Sequence, residues 1–314
     1  MANNISGNKL LFHCESVANR TPITADVFLN DYCNNRCPYC TYARYGERNG
    51  EYMGIEDFKR YAEILIAAGV KGLILTGGGE PTISKDFDQI TAWLEDRGVA
   101  YGINTNFNVL KYIRPQYLKV SLDAYDRQSY IARRGVDRYE QTISNIKEYL
   151  RWKKENGVRT VVGIQMVVES LEDAKRFYEA HKDLEVDYMN FRPMESTLHS
   201  YYDTHDETGI IRGLEEMRKD DSRVCINYKW YSLRERFEKC YAQFAQVAIN
   251  QRGEVMYCCH KPYEIIGRLD DPEIWEKIKN AKTNMSMCDV PCRLTAPNQI
   301  VREIERGGKD AAFI

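Results

Sequence analysis

Short apolar runs alternate with amphipathic stretches along the chain, and that alternation limits the fold more than any other feature. Strand candidates fall at Ala25–Leu29, Gly72–Thr76, Ala100–Asn104, Leu118–Leu122, Thr160–Val168 and Val186–Phe191. Helix candidates fall between them at Ile55–Ala68, Lys85–Asp96, roughly Arg138–Glu155, and Leu171–His181. Ser84 is placed to cap the second helix with Asp86 in its first turn, and Ser170 with Asp173 reads as a capping box. Gly69, Gly98 and Gly157 sit where a helix ends in a left-handed residue. Alternating units with buried strands predict an α/β fold whose parallel sheet curls into a partial, TIM-like barrel of six βα units.

In βα barrels the chemistry gathers at the C-terminal ends of the strands. Five polar clusters obey that rule here. A cysteine loop follows the first strand and Gly77–Pro81 follows the second. Asn104–Asn106 follows the third, Ser121–Asp123 ends the fourth, and Arg192-Pro193 ends the sixth.

The cysteine loop reads Cys33-Asn-Asn-Arg-Cys37-Pro-Tyr39-Cys40. Full protein ligation of a cubane iron–sulfur cluster takes four thiolates, so three leave one iron open for another ligand. A zinc site would need a fourth ligand from a distance, such as Cys14 or His13, since the next cysteine or histidine after Cys40 is His181. Three clustered cysteines cannot pair among themselves as disulfides.

Cys-x3-Cys-x2-Cys with Tyr39 before its last cysteine, followed by Gly78-Gly79-Glu80-Pro81, closely resembles the radical S-adenosylmethionine (SAM) superfamily. The resemblance implies a 4Fe–4S cluster on Cys33, Cys37 and Cys40 whose open iron chelates the methionine part of SAM. One electron then yields methionine and a 5′-deoxyadenosyl radical. It also implies that Gly78 and Gly79 lie along the methionine ammonium, with Glu80 anchoring their loop and Tyr39 beside the cofactor. Ser121, Asp123 and Arg134 resemble positions near the SAM carboxylate and ribose, although Asp123 would equally serve as a helix cap. Asn104 and Asn106 either bond ribose hydroxyls or favour the turn.

Four further ligand positions lie late in the chain: Cys240, Cys258 or its neighbour Cys259, Cys288 and Cys292. Between the first two, Val247–Asn250 and Glu254–Tyr257 flank Gln251-Arg252-Gly253, a hairpin signal. A helix follows around Ile274-Trp275. This resembles the twitch domain, a shortened relative of the SPASM domain, and implies a second, fully ligated 4Fe–4S cluster; tetrahedral zinc is the competing reading. Three residues separate Cys288 from Cys292 instead of the commoner two. The expected division is an N-terminal extension at 1–22, the barrel at 23–220, and a bridge with the small auxiliary-cluster domain (hairpin plus helices) at 221–314.

Chemistry is expected from three further residues. Cys225, a thiol outside both ligand sets, would return a hydrogen atom to a substrate radical, as the resemblance to radical epimerases implies. Arg192 or Glu195 would take a proton. The outcome would be oxidation or epimerisation of a small polar molecule of sugar, cyclitol or nucleoside type. Maturation of a ribosomal peptide is the alternative, and only about two dozen residues precede the first strand to hold a leader-binding domain. A non-catalytic electron carrier is the reading from another class, disfavoured by Gly78–Pro81. An external electron donor such as flavodoxin or ferredoxin would be required.

Net charge of −2 gives no face for a nucleic-acid polymer, and the N-terminal apolar cluster Leu10–Phe12 is too short for a membrane span or signal. Ten cysteines without a secretion signal suggest reduced thiols in a cytoplasm.

Overall fold

The computed structural model describes residues 20–45, 48–195, 207–233, 235–288 and 292–307. Cys14 and His13 lie outside them. Strands β1 (Thr24–Phe28), β2 (Gly72–Thr76), β3 (Tyr101–Thr105), β4 (Tyr117–Ser121), β5 (Val161–Val168), β6 (Tyr188–Pro193) and β7 (Val224–Ile226) lie side by side in chain order. Every neighbouring pair among them is parallel.

Alternation along these strands sorts two chemistries onto two faces. Ala25, Val27, Leu73, Leu75, Ile103, Leu118, Val120, Ile164, Met166, Met189 and Phe191 join one continuous apolar core. The helices α2 (Ile55–Ala67), α3 (Phe87–Asp96), α5 (Tyr139–Glu155) and α6 (Leu171–His181) bury their apolar stripes in that same core. Most of the intervening residues are polar or small, with Phe28, Ile74, Val161 and Val167 as exceptions. In one layer Asn104, Lys119, Gly163 and Tyr188 are register partners; in the next, Ser121, Gln165, Asn190 and Cys225 are. Gly102 and Gly163 make room for rings on this face: an added Cβ would come within 2.0 Å of Tyr117 and 2.1 Å of Tyr188. A parallel sheet with one apolar and one polar face is what a barrel with a functional lumen needs.

Two expectations change. No helix separates β3 from β4; the loop between them is tied down from α5, where Tyr149 donates to the Ile113 carbonyl (2.7 Å) and Asn145 to that of Phe107 (2.9 Å). A helix instead lies between β4 and α5. This is α4 (Arg127–Arg134), opened by a capping box of Asp126 and Ser129 and closed by Gly135 at φ +70°. Its Arg-rich sequence buries only Tyr130 and Arg134, so it carries little apolar periodicity. Ser84 is not the cap of α3. Its hydroxyl donates to the Leu29 carbonyl (3.3 Å), and Asp86 spends a carboxylate oxygen on the Ile55 amide of α2 (3.0 Å). Ser170 does cap α6, accepting from the Asp173 amide at 3.1 Å.

The sheet does not stop near residue 220. After α7 (Glu207–Asp220), β7 pairs with β6, and Trp230 donates to the Phe191 carbonyl at 3.1 Å. At the other edge β8 (Gln246–Ile249) runs parallel to β1. The expected hairpin follows, with β9 (Glu254–Met256) antiparallel to β8, Gly253 at φ +74° in the turn, and β10 (Ile265–Arg268) outermost. α8 (Ile274–Asn280) and α9 (Thr295–Gly307) complete the described elements, along with the five-residue α1 (Thr41–Tyr45). No described helix is long and apolar enough to cross a membrane.

One core residue gives a pH prediction. His181 is 1% exposed, its Nδ1 2.7 Å from the Phe177 carbonyl and its Nε2 3.2 Å from the Tyr139 hydroxyl. Burial lowers its pKa to about 4, so protonation favours the unfolded chain, where the imidazole titrates normally. Its contribution is therefore complete above about pH 6.5 and is lost as pH falls toward the folded value. Stability should drop by about 2 kcal/mol between pH 7 and pH 5 from this residue. Urea midpoints should show that drop in the parent protein and a flatter profile in His181→Gln; parallel profiles would refute it.

Candidate functional site

The cysteine loop leaves the end of β1 and is bound to the glycine run that leaves β2. Gly79 and Glu80 donate amides to the carbonyls of Asn30 (3.0 Å) and Tyr32 (2.8 Å), and Asn30 Nδ2 returns a bond to the Glu80 carbonyl (2.8 Å). A Cβ at position 79 would stand 1.9 Å from the Tyr32 carbonyl oxygen, so only glycine permits this approach. At position 78 a Cβ would strike the Tyr42 ring of α1 at 2.3 Å. The two glycines thus join the loops, whatever else their backbone meets.

Glu80 is the knot. It is 3% exposed and accepts from the Thr82 amide (3.1 Å), the Thr82 and Thr105 hydroxyls (2.6 and 2.5 Å) and the Asn106 amide (2.7 Å). Burial raises its pKa, and these donors offset only part of that. From the end of β3, Asn106 Nδ2 donates to Asn34 Oδ1 (2.6 Å), and Asn108 Nδ2 to Asn35 Oδ1 (2.7 Å). Asn106 therefore spends its amide on the cysteine loop. Asn104 differs: its Oδ1 is buried on the lumen face with no partner.

A second anchor holds the far side of the loop. Asp123, at φ +56°, accepts from Tyr39 (2.8 Å) and from the Val167 amide (2.8 Å), and pairs with Arg134 at 2.7 Å. The Arg134 guanidinium also meets the Ser121 carbonyl and donates to Cys37 Sγ at 3.4 Å. Of the two arginines, Arg134 turns inward. Arg133 bonds the Val167 carbonyl (3.0 Å) and pairs with Glu169 and Asp173. Tyr39, Asp123 and Arg134 are committed to fastening the loop, and Ser121 contributes its backbone.

Cys33, Cys37 and Cys40 are half-buried on this braced loop and feel one another's charge. Burial pushes the Cys33 thiol up to about 11, with Glu80, Cys37 and Cys40 adding to the rise. Such thiols ionise only against a cation, and metal binding would expel their protons.

Further round the lumen mouth, Glu195 is 9% exposed and lies between Arg192, Lys229 and His260. Arg192 Nη1 is 3.0 Å away, His260 Nδ1 3.5 Å, and Lys229 Nζ is in contact. Burial alone would raise the Glu195 carboxyl, but Lys229, His260 and Arg192 hold it well below the usual carboxylate range. Arg192 and Glu195, both expected as proton acceptors, are thus held together as an ion pair at this mouth. Arg192 also lies near enough to sense Asp123 and Tyr39, and its buried Nε has no partner. Lys229 and His260 were missed in the sequence because nothing marks them except the neighbouring Tyr228 and Cys259.

Cys225 shares the lumen face with its register partner Asn190, and burial raises its thiol. Among the late cysteines, Cys258, Cys288 and Cys292 line one cavity of about 30 Å³ with His260, Lys261 and Arg293. Cys240 is close enough to raise the thiols of Cys288 and Cys292. Cys259 packs on Phe28, Ala248 and Met256, yet lies close enough to Cys258 and Arg293 for its charge to act on both. Among the described residues no three ligand-type side chains converge on a point that would hold a single ion. Thiolates of a polynuclear cluster each take a different iron and need not so converge.

Comparison with known proteins agrees with this geometry. Residues 27–181 match the family model described as the Radical SAM superfamily. A probable GTP 3′,8-cyclase of Pyrococcus horikoshii is 33% identical over 131 residues, 39% of this chain and 41% of that protein. The GTP 3′,8-cyclase of Klebsiella pneumoniae is 26% identical over 130 residues, 38% of this chain and 39% of that one. The chain thus spans about two fifths of the length of these curated relatives.

Two solved structures share the fold. Streptococcus suis SuiB bound to precursor peptide SuiA has a TM-score of 0.63 at 16% identity, covering 93% of this chain and 78% of SuiB. anSMEcpe with bound AdoMet and Cp18Cys peptide has a TM-score of 0.61 at 13% identity, covering 85% and 82%. The radical SAM match over residues 27–181 implies a 4Fe–4S cluster and SAM, and the loop that would receive them is the one braced by Glu80 and Arg134. Residues 27–181 form a radical SAM domain, set in a chain of α/β partial-barrel fold.

Proposed function

We propose that the enzyme abstracts a hydrogen atom from a small polar substrate held in the lumen and oxidises or epimerises it. The observation that carries this reading is the lumen face itself. Asn104, Lys119, Ser121, Gln165, Asn190 and Arg192 stack in register up to a mouth where Arg192, Lys229 and His260 surround Glu195.

Cys33, Cys37 and Cys40 would hold the SAM-binding cluster, and Cys240, Cys258, Cys288 and Cys292 the auxiliary one. Bound there, the first cluster and SAM supply a carbon-centred radical oxidant. The chain's own work is placement. Glu80 and Asn106 fix the loop on one side, Asp123 and Arg134 on the other, and Asn104 offers an open carbonyl oxygen in between. Arg192 offers a free N–H to a carboxylate, phosphate or hydroxyl of the substrate. Glu195 holds Arg192, Lys229 and His260 together, and one carboxylate does not neutralise both Arg192 and Lys229. Cys225, un-ionised and facing the lumen, suits the return of a hydrogen atom in an epimerisation.

A peptide substrate is the second reading, favoured by the fold shared with SuiB over most of the chain. Isotope transfer separates the two. Extracts of cells grown in heavy water would be divided into small-molecule and peptide fractions and given to the reduced protein with SAM. The small-molecule fraction should place deuterium in 5′-deoxyadenosine. Arg192→Gln should cut that transfer by ~10–100-fold, the loss of one charge-assisted bond, while unlabelled 5′-deoxyadenosine still forms. Label arriving from the peptide fraction alone would overturn the small-molecule reading.

A further inference from the structure

Arg293 lies next to Cys292 in sequence and reaches out of the C-terminal segment into the barrel. Its Nη1 forms an ion pair with Asp26 Oδ2 on β1 at 2.5 Å. Asp26 is 1% exposed and also accepts from Gln246 Nε2 at 3.3 Å. The other side of the guanidinium is unmet: Nε and Nη2 are both buried without an acceptor. A buried, charged donor without a partner is costly, so this arrangement calls for an acceptor that the polypeptide does not provide. Sulfurs lie close to this side chain. Arg293 lines the cavity with Cys258, Cys288 and Cys292, and the charges of Cys258 and Cys259 bear directly on it.

We propose that Arg293 donates its free N–H groups to the sulfur of the auxiliary cluster and, with Asp26 as its counter-charge, sets that cluster's reduction potential. The proposal rests on the auxiliary-cluster reading given above. Cluster potentials follow net charge and hydrogen bonds to sulfur, and a cation with two donors stabilises the reduced, more negative state. Asp26 opposes this by neutralising the same cation from the lumen side. Arg293 is thus a positioning and tuning residue, linking the second cluster to the barrel floor, where Tyr117 also senses both Asp26 and Arg293.

Opposite signs provide the test. In a Cys33→Ala, Cys37→Ala, Cys40→Ala background, the auxiliary cluster is the one cluster left. Its potential would be read by a redox titration followed by electron paramagnetic resonance. Arg293→Gln should shift the potential more negative, Asp26→Asn less negative, and Arg293→Lys should fall between the parent and Arg293→Gln. A merely structural role would move the first two the same way, through loosening of the site, or move neither; both results overturn the proposal. Should Arg293→Gln fail to retain iron, Asp26→Asn and Arg293→Lys still decide the matter. A parent that holds no cluster at all would overturn the auxiliary-cluster reading, and this inference with it.

Discussion

Replacing Cys33, Cys37 and Cys40 by alanine in one variant should abolish 5′-deoxyadenosine formation from SAM and remove about four irons per chain. The fold should survive, because the three thiols are half-buried on a loop and none belongs to the apolar core. Most of what holds that loop does not pass through the sulfurs. It passes through Asn34 and Asn35 to Asn106 and Asn108, through Tyr39 to Asp123, and through the Asn30 and Tyr32 carbonyls to Gly79 and Glu80. Iron analysis and absorbance on the anaerobically reconstituted variant measure the first effect, and circular dichroism checks the fold. A variant that kept its full iron content and its SAM cleavage would place the cofactor elsewhere.

Glu80→Ala should be the most damaging single change at the site. Truncation leaves the Thr82 amide and hydroxyl, the Thr105 hydroxyl and the Asn106 amide buried without their acceptor. Orphaned donors cost ~1–3 kcal/mol each and do not add, so a loss of ~3–5 kcal/mol is expected. The effect should reach the cysteine loop, since Asn106 bridges Glu80 to Asn34. Glu80→Gln keeps one acceptor oxygen for the two threonines but turns a donor toward the Asn106 amide, and should cost less than half as much. Urea unfolding measures both variants, and cluster occupancy reports the coupling. Equal stability of Glu80→Ala and the parent would remove Glu80 from its place at the centre of the site.

Much of the barrel was legible because buried parallel strands leave a strong local signal. β2 was read at its observed bounds, and the other strand bounds moved by one or two residues. What local signal could not carry was tertiary. β8 is a hairpin strand by sequence and a parallel partner of β1 by structure, because pairing over more than two hundred residues leaves no local trace. α4 was missed since Arg133 and Arg134, its last-turn residues, look like surface charges, yet Arg134 is 6% exposed. The site divides in the same way. The cysteine loop and Gly78–Glu80 were visible as a motif. The bonds that tie Asn106, Asp123 and Arg134 to the loop were not visible, because spacing does not reveal hydrogen-bond partners. Arg293 and His260 lay beside cysteines that had been singled out, which was the one available hint.

The most direct test is reductive cleavage of SAM by the reconstituted, anaerobic protein with dithionite as electron source. Methionine and 5′-deoxyadenosine should appear in equal amounts, and both should vanish in the Cys33→Ala, Cys37→Ala, Cys40→Ala variant. A protein whose cluster is demonstrably reduced in the presence of SAM, yet which releases no 5′-deoxyadenosine, would contradict the account.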